Sequence, residues 1–211
     1  MNTAYILLLR RTPLVRHALT LLAVLFVSMS HAAPPPSSTS EPEEIRAFPP
    51  SVQVAGEALQ RNGAGIRYKA IFKVYAAALY LEKPTRSFEA ISHLTGPKRV
   101  AVTMLRTINA SELGQLFAHG MEDNMDRQQF SKLVPGVMRM SEVFSRHKSL
   151  RPGDSFTLDW IPDRGMVLSV NGVEEPVAFP EPEFYQAMLG IWLGPKPADG
   201  HLKTSLLQLT P

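Results

Sequence analysis

Apolar residues dominate both faces of a long stretch that begins at residue 72. Side chains alternate faces along an extended chain, and this alternation places Lys73, Tyr75, Ala77, Leu79 and Leu81 on one face and Phe72, Val74, Ala76, Ala78 and Tyr80 on the other. Apolar or small residues on both faces are typical of a strand that is covered on both sides. The pattern therefore predicts a central strand of a sheet.

The segment in front of this strand carries one arginine behind two glycines, in the stretch NGAGIRYK. If the extended conformation holds back to Gly65, Arg67 has the same parity as Tyr75, and the guanidinium and the phenol point into the same space. Glycine in such a run often marks a turn or a bulge. We expect a first strand over residues 52–59 and a turn at 61–63 that leads into the long strand.

The chain then alternates between helical and extended patterns. Residues 84–94 predict a short amphipathic helix, and residues 98–106 predict a second long strand, in which Thr103 and Arg106 are the only polar residues beyond its start. Asn109 is a candidate helix N-cap, with Glu112 completing a capping box.

A further helix is predicted over residues 128–145, where Pro135 should kink or split it. Its predicted buried residues are Phe130, Leu133, Val134, Val137, Met138 and Val143.

A period of two returns near residue 155 and predicts an antiparallel meander. Phe156, Leu158 and Trp160 alternate with Ser155, Thr157 and Asp159, so the first set should face the core and the second the solvent. Asn171-Gly172 is a strong hairpin signal, followed by a third short strand over 176–179. Helices over 182–193 and 202–209 end the chain, and this order of elements predicts an α+β domain with a large antiparallel sheet and helices on one side.

The N-terminus predicts export. Arg10, Arg11 and Arg16 flank a short apolar run over residues 18–27 that ends in small residues, as in a secretory signal peptide. We expect residues 1–32 to be this signal, with cleavage after Ala32 into the periplasm; an uncleaved anchor would need roughly 20 apolar residues, and the export route stays open. Residues 33–50, rich in Pro, Ser and Glu, predict a disordered spacer, which leaves 51–211 as the folded domain.

Charge and composition exclude several classes of function. The chain has 22 Lys and Arg against 19 Asp and Glu, and the first 32 residues hold three arginines and no acid, so the predicted mature chain is balanced. Nucleic-acid binding lacks the basic excess that it needs, and stable membrane insertion is not expected once the signal is removed. The absence of cysteine excludes thiol chemistry, and the four histidines beyond the signal show no metal-ligand spacing. We therefore expect no metal and no cofactor.

Three stretches resemble one known family. NGAGIRYKAIFKVYAAALYLE, KRVAVTMLR followed by NASELGQLFAHGMEDN, and FYQAMLGIWLGPKPADGHLKTSLLQL are similar to the chalcone isomerase-like proteins, specifically their exported bacterial branch, over residues 52–209. The resemblance implies an open-faced β-sandwich, in which helices cover one side of a curved antiparallel sheet and a cleft lies between. In true chalcone isomerases this cleft closes a flavanone ring with an arginine and a set of hydroxyl and amide groups.

Only part of that catalytic set is matched here. The resemblance places the arginine at Arg67, a threonine of the strand at Tyr75, a tyrosine before the helix at Ala110 and a terminal threonine or serine near Tyr185, with Asn124 the nearest match for an asparagine. Ring closure needs donors where charge develops, so the loss of the tyrosine argues against this activity.

Arginine and a neighbouring tyrosine suit a carboxylate instead, and the arrangement resembles the non-catalytic fatty-acid-binding branch of the superfamily. We predict a periplasmic binder of a fatty acid or similar apolar carboxylate, with Arg67, Tyr75, Tyr185 and Thr103 as ligand-binding residues. Two alternatives remain: an intramolecular lyase with a rebuilt site, and an envelope scaffold with a vestigial cleft, which should show a filled cleft and an exposed apolar patch. Arg67 would be purely structural if Glu57, Glu82 or turn carbonyls satisfied its charge.

Overall fold

A computed structural model describes residues 41–209, so the predicted signal peptide and the first part of the predicted spacer lie outside the described residues. The strands are β1 (Ser51–Val54), β2 (Glu57–Lys69), β3 (Phe72–Leu81), β4 (Lys98–Met104), β5 (Ile108–Asn109), β6 (Ser149–Leu150), β7 (Ser155–Ile161), β8 (Gly165–Val170) and β9 (Val173–Glu174). Seven of them form one antiparallel sheet in the order β1-β2-β3-β4-β7-β8-β9, and β5 pairs with β6.

Helices pack mainly against one face of the curled sheet. They are α1 (Glu43–Arg46), α2 (Phe88–His93), α3 (Ala110–Glu122), α4 (Arg127–Arg146), α5 (Pro182–Leu193) and α6 (Gly200–Leu206). The main core lies between α2–α6 and the sheet. The predicted α+β fold, an open-faced sandwich with helices over one side of a large antiparallel sheet, is confirmed. None of the helices described in residues 41–209 is long and apolar enough to cross a bilayer.

The predicted central strand is β3, which lies between β2 and β4. Tyr75, Ala77, Leu79 and Leu81 belong to the core under the helices. Ala76, Ala78 and Tyr80 belong to a smaller core on the other face, which also contains Phe48. Burial on both faces explains why the strand carries no regular polar alternation.

The N-terminal boundary of the domain differs from the prediction. Residues 41–50, expected to be the end of a disordered spacer, contain α1 and pack on the open face of the sheet, where Phe48 is buried. The Arg61 guanidinium donates to the carbonyls of Ile45 and Phe48 at 3.1 Å, and the Tyr80 hydroxyl donates to Pro49 O at 3.0 Å. These polar contacts order a segment whose composition alone predicts disorder.

The turn predicted at residues 61–63 is wrong. β2 continues through this region with a bulge between Arg61 and Gly63. The chain reverses instead at Ala55-Gly56, which divides the strand predicted over 52–59 into β1 and the start of β2, and again at Ala70-Ile71. The glycines allow α6 to approach the strand, since a Cβ at Gly63 would lie 2.2 Å from Ser205 O. A Cβ at Gly65 would lie 2.8 Å from the Cβ of Ser205, so both positions exclude larger residues for steric reasons.

The middle helices follow the predictions in part. Asn109 caps α3 through Ser111 N, but the predicted box with Glu112 is not formed; the capping box lies instead at Asp126 and Gln129 of α4. α4 is one continuous helix that contains Pro135, so the predicted split is wrong.

Two residues predicted to be buried in α4, Val134 and Met138, are 39% and 67% exposed. The buried stripe runs instead through Leu133, Gly136, Met140, Val143 and Phe144.

Along β7 the meander follows its predicted alternation with one exception. Asn171 and Gly172 both have positive φ, 50° and 78°, as expected for a tight turn between paired strands. Asp159 is only 5% exposed although its position predicts solvent contact, because it forms an ion pair with Arg99 on the neighbouring strand. The strand predicted over 176–179 is reduced to a single bridge between Met166 and Phe179.

Candidate functional site

Arg67 and Tyr75 lie directly opposite each other on β2 and β3. They are register partners, and the guanidinium carbon of Arg67 is 5.6 Å from the centroid of the Tyr75 ring. The sequence argument placed them on one face through the parity of a single strand. The structure brings them together as cross-strand neighbours across the hairpin turn.

The Tyr75 ring is fixed by a residue that the sequence analysis did not single out. Its hydroxyl accepts a hydrogen bond from Trp192 Nε1 at 2.9 Å, and the residue is 7% exposed. Burial raises the pKa of Tyr75 to about 12, although Arg67 acts in the opposite direction. The phenol therefore stays protonated at neutral pH and keeps its own hydrogen as a donor.

The pair lines a small cavity between the hairpin, α3 and α5. The cavity has a volume of about 50 Å³, and its other walls are apolar apart from backbone: Val74, Ile108, Leu113, Leu116, Phe117, Gly120, Ile191, Trp192 and Ala198. A single cation and a phenol thus face an otherwise apolar space. Such a surface suits the charged head of an amphiphilic molecule.

Arg67 differs from the other half-buried arginines of the described chain. Arg61, Arg99 and Arg139 each contact a carboxylate, those of Glu41, Asp159 and Glu181, at 3.1, 2.5 and 2.9 Å. Arg67 contacts no carboxylate among the described residues, and neither Glu57 nor Glu82 pairs with it.

One nitrogen of Arg67 is also left without a hydrogen bond. Its Nε is buried and unpaired within residues 41–209, as are Arg139 Nε and the Tyr185 hydroxyl. Buried polar atoms are normally hydrogen-bonded, so this donor next to an apolar cavity is an unusual feature. Since Arg139 shares this feature and has a carboxylate partner, it is the missing carboxylate that distinguishes Arg67.

Thr103 and Tyr185 do not join this pair. Thr103 pairs with Ala76 of β3, whereas Tyr75 pairs with Met104, so Thr103 lies on the opposite face of the sheet. Tyr185 packs on Trp160 with ring centroids 5.5 Å apart. Trp160 pairs with Lys98 at the start of β4, which places Tyr185 toward the other end of the sheet.

Tyr185 belongs to a second cavity of about 390 Å³, which Lys98, Trp160 and Pro182 also line. Lys98 Nζ donates to the carbonyls of Leu94 and Gly96 at 2.5 and 3.2 Å, and burial lowers its pKa to about 8. Burial raises the pKa of Tyr185 well above its ordinary value, with the Asp159 carboxylate adding to the effect. The cation at this end is bound to backbone carbonyls at the end of α2.

The family resemblance matches two further catalytic positions to Asn124 and Ala110. Both residues have a structural role here. Asn124 Nδ2 donates to Gly120 O and Lys196 O, both at 2.8 Å, and its Oδ1 accepts from Lys196 N. Ala110 is buried at the start of α3. Asn124 also borders a groove of about 540 Å³ between α2, α4 and α5, away from Arg67.

Trp192 and the apolar residues of α3 and α5 that line the cavity were not predicted as site residues. Nine of the twelve residues of α5 are buried, so the helix lacks the one-sided apolar pattern that assigns an inward face. Among the described residues no group of three His, Asp or Glu side chains could hold a metal ion.

The family model described as chalcone isomerase-like matches residues 44–208 of the sequence. The chain belongs to the chalcone isomerase-like family. The crystal structure of an Arabidopsis thaliana fatty-acid binding protein superposes with a TM-score of 0.59 at 13% identity, over 76% of this chain and 90% of the plant chain. This likeness concerns the fold. Comparison with curated proteins finds no match.

Proposed function

We propose that this protein is a non-catalytic binder of a fatty acid or a similar apolar carboxylate, and that it belongs to the exported bacterial branch of its family and acts in the periplasm. Arg67 and Tyr75 hold the carboxylate, and the apolar side chains of α3 and α5 contact the tail. The fold that the chain shares with a plant fatty-acid binding protein supports this assignment.

One observation carries the proposal. Arg67 is the half-buried arginine in the described chain that lacks a carboxylate, and it faces an apolar cavity beside a protonated phenol. A guanidinium matches two carboxylate oxygens with parallel hydrogen bonds, and the Tyr75 hydroxyl adds a third donor. The ligand thus supplies the partner that Glu41, Asp159 and Glu181 supply to the other three arginines.

The size of the cavity constrains how the tail binds. Small-molecule sites usually measure about 300–1,000 Å³, whereas this cavity measures about 50 Å³. The space accommodates the head group alone, so binding of an acyl chain requires the cavity to widen. Leu113, Leu116 and Phe117 of α3 form one of its apolar walls.

An isomerase is supported less well. Proton transfer needs a group whose pKa lies near the working pH, and the pKa of Tyr75 is raised to about 12. Tyr68 is 44% exposed beyond the cavity, and Tyr185 lines a different one. Within residues 41–209 the cavity beside Arg67 contains no Asp, Glu or His.

A scaffold with a vestigial cleft is the second candidate, and two observations favour it. The cavity beside Arg67 is nearly filled by side chains. An apolar patch is also exposed next to it, because Tyr68, Ile71 and Phe72 are 44%, 84% and 51% exposed. Loading with a ligand separates this candidate from the binder.

The test is native mass spectrometry of the purified protein followed by lipid extraction. Wild type should carry an acyl species, and Arg67→Met should reduce its occupancy about 10- to 100-fold, as expected for the loss of charge-assisted hydrogen bonds. Arg86→Met is the matched control, since Arg86 is exposed beyond the far end of β3. A wild-type protein without acyl species, or equal loading of the two variants, rejects the binder, and an empty wild type favours the scaffold.

Export is tested separately by fractionating cells and determining the N-terminus of the accumulated protein. We expect the mature chain to begin at Ala33 and to appear in the periplasmic fraction. A chain that keeps Met1 and sediments with membranes would indicate an uncleaved anchor. This outcome would leave the ligand proposal unaffected.

A further inference from the structure

The β2–β3 hairpin ends in a cluster of exposed apolar side chains. Ile71 at the turn is 84% exposed, and Phe72 and Tyr68 beside it are 51% and 44% exposed. Large apolar side chains that expose this much area next to one another commonly mark an interaction surface. We refer to Tyr68, Ile71 and Phe72, with Lys69 between them in sequence, as the hairpin tip.

A tight turn and a hydrogen bond to α6 hold the backbone of the hairpin tip in place. Lys69 pairs with Phe72, which leaves only Ala70 and Ile71 in the turn, and Ala70 adopts a φ of 55°. The Tyr68 amide donates to Asp199 Oδ2 at 3.0 Å, which ties the strand to the start of α6. These contacts hold the backbone of the tip on the strand, and its apolar side chains face away from the core.

Cations surround the tip and only some of them are neutralised. The guanidinium of the exposed Arg106 lies 4.4 Å from the Phe72 ring centroid, and neither Arg106 nor Lys69 forms an ion pair with any described residue. Lys73 is neutralised by Glu44 at 2.5 Å. One carboxylate, that of Asp199, accepts from the Tyr68 amide, and the two unpaired cations outnumber it. The overall balance of charge in the predicted mature chain thus conceals a local excess of positive charge at the tip.

We propose that the hairpin tip docks onto the surface of a bilayer that contains anionic lipid. Ile71 enters the boundary between head groups and acyl chains, Phe72 and Tyr68 lie at the head-group level that aromatic side chains prefer, and Lys69 and Arg106 contact lipid phosphates. This combination of an apolar apex and flanking cations is the chemistry of interfacial membrane binding. Only the turn enters the lipid, so the contact is reversible.

Other exposed apolar residues lack this combination. Val134 and Met138 lie on one side of α4, and Val173, at 68% exposure, begins β9 next to Glu174. The hairpin tip alone, among the described residues, joins two exposed aromatic rings and an exposed isoleucine to unpaired cations. The proposal does not depend on the ligand, although Arg67 lies one residue from the tip.

The chain contains no cysteine, which allows a single label at a chosen position. Ile71→Cys in the purified full chain, carrying an environment-sensitive fluorophore, should show a blue shift with phosphatidylglycerol vesicles and none with phosphatidylcholine vesicles. Val173→Cys is the matched control at another exposed apolar position, directly after the Asn171-Gly172 turn, and its label should not respond. An unresponsive label at Ile71, an equal response at both sites, or a shift without vesicles that depends on protein concentration would overturn the proposal, the last by indicating self-association.

A second measurement tests the cations. The double variant Lys69→Gln, Arg106→Gln should lower the vesicle partition coefficient about 25-fold, since each cation near an anionic surface contributes about fivefold. Lys83→Gln with Arg86→Gln removes the same two charges at the opposite end of β3 and should leave partitioning unchanged. Equal loss in both double variants would show a nonspecific charge effect and reject docking through the tip.

Discussion

Arg67 and Arg99 are half-buried arginines on opposite faces of the same sheet, and only Arg99 has a carboxylate partner among the described residues. Arg99 on β4 faces Asp159 on β7 as a register partner, with Nε and Nη2 donating to the two carboxylate oxygens at 2.6 and 2.5 Å. Arg67 on β2 faces Tyr75 on β3, and no carboxylate of the described chain reaches it. Arg99 thus has a carboxylate partner within the fold, whereas Arg67 has none among the described residues.

This difference separates a structural arginine from a binding one. A buried charge is costly unless it is paired, and the fold meets that requirement at Arg99 with a partner in perfect strand register. At Arg67 the register partner is a phenol that already accepts a hydrogen bond from Trp192. Arg99 shows how this sheet neutralises a structural arginine, which is with a carboxylate on the neighbouring strand. Arg67 lacks such a carboxylate.

The largest effect is expected from breaking the complete pair. Asp159→Ala should lower the free energy of unfolding by about 3 kcal/mol, because it leaves Arg99 half-buried without its partner. Urea denaturation measures this, provided that the slope of the transition stays constant. The double variant Arg99→Met, Asp159→Leu should recover most of the loss, since it removes both charges; failure to recover would mean that the pair contributes through packing instead.

The second largest effect is expected from placing a carboxylate beside Arg67, as Asp159 is placed beside Arg99. Leu116 lines the cavity beside Arg67 and is 36% exposed. Leu116→Glu should lower acyl occupancy about tenfold, because an internal carboxylate competes for the guanidinium. It should also raise the free energy of unfolding by about 0.5 kcal/mol relative to Leu116→Gln, as a partly exposed ion pair does.

Leu116→Gln has nearly the same shape as Leu116→Glu without the charge, so it is the matched control for occupancy. Native mass spectrometry should find it loaded close to wild type. Equal loss of ligand in both variants would show that the leucine contributes through its shape and that Arg67 does not select the head group.

The sequence predicted the fold well because its strongest patterns are those of the core. The apolar run along β3 and the Asn171-Gly172 turn follow from burial and backbone geometry, which act locally. The reversal at Ala70-Ile71 was missed because neither residue is a usual turn former. The segment over 41–50 was missed because it is ordered by tertiary hydrogen bonds to Arg61 and Tyr80.

Of the predicted site residues, only Arg67 and Tyr75 lie together in the structure. Arg67 and Tyr75 were found together, although they meet across a hairpin and not along one strand. Asp159 was predicted to face solvent because a period of two contains no information about a charged partner on β4. Thr103 and Tyr185 were assigned to the site without knowledge of sheet face or helix position, which arise only when β4 and α5 pack.

The smallest effect on the free energy of unfolding should come from replacing Arg67, the arginine without a carboxylate partner. This substitution tests the comparison with Arg99 most directly. Arg67→Met should change the free energy of unfolding by no more than about 0.5 kcal/mol. The variant loses a cation–π contact with Tyr75, but it also removes a buried donor without a partner, and methionine packs well in an apolar cavity. Thermal and urea denaturation of ligand-free protein measure the difference, with Asp159→Ala as the reference for a structural charge. A loss near that of Asp159→Ala would show that Arg67 serves the fold, and the binding proposal would then lose the observation that carries it.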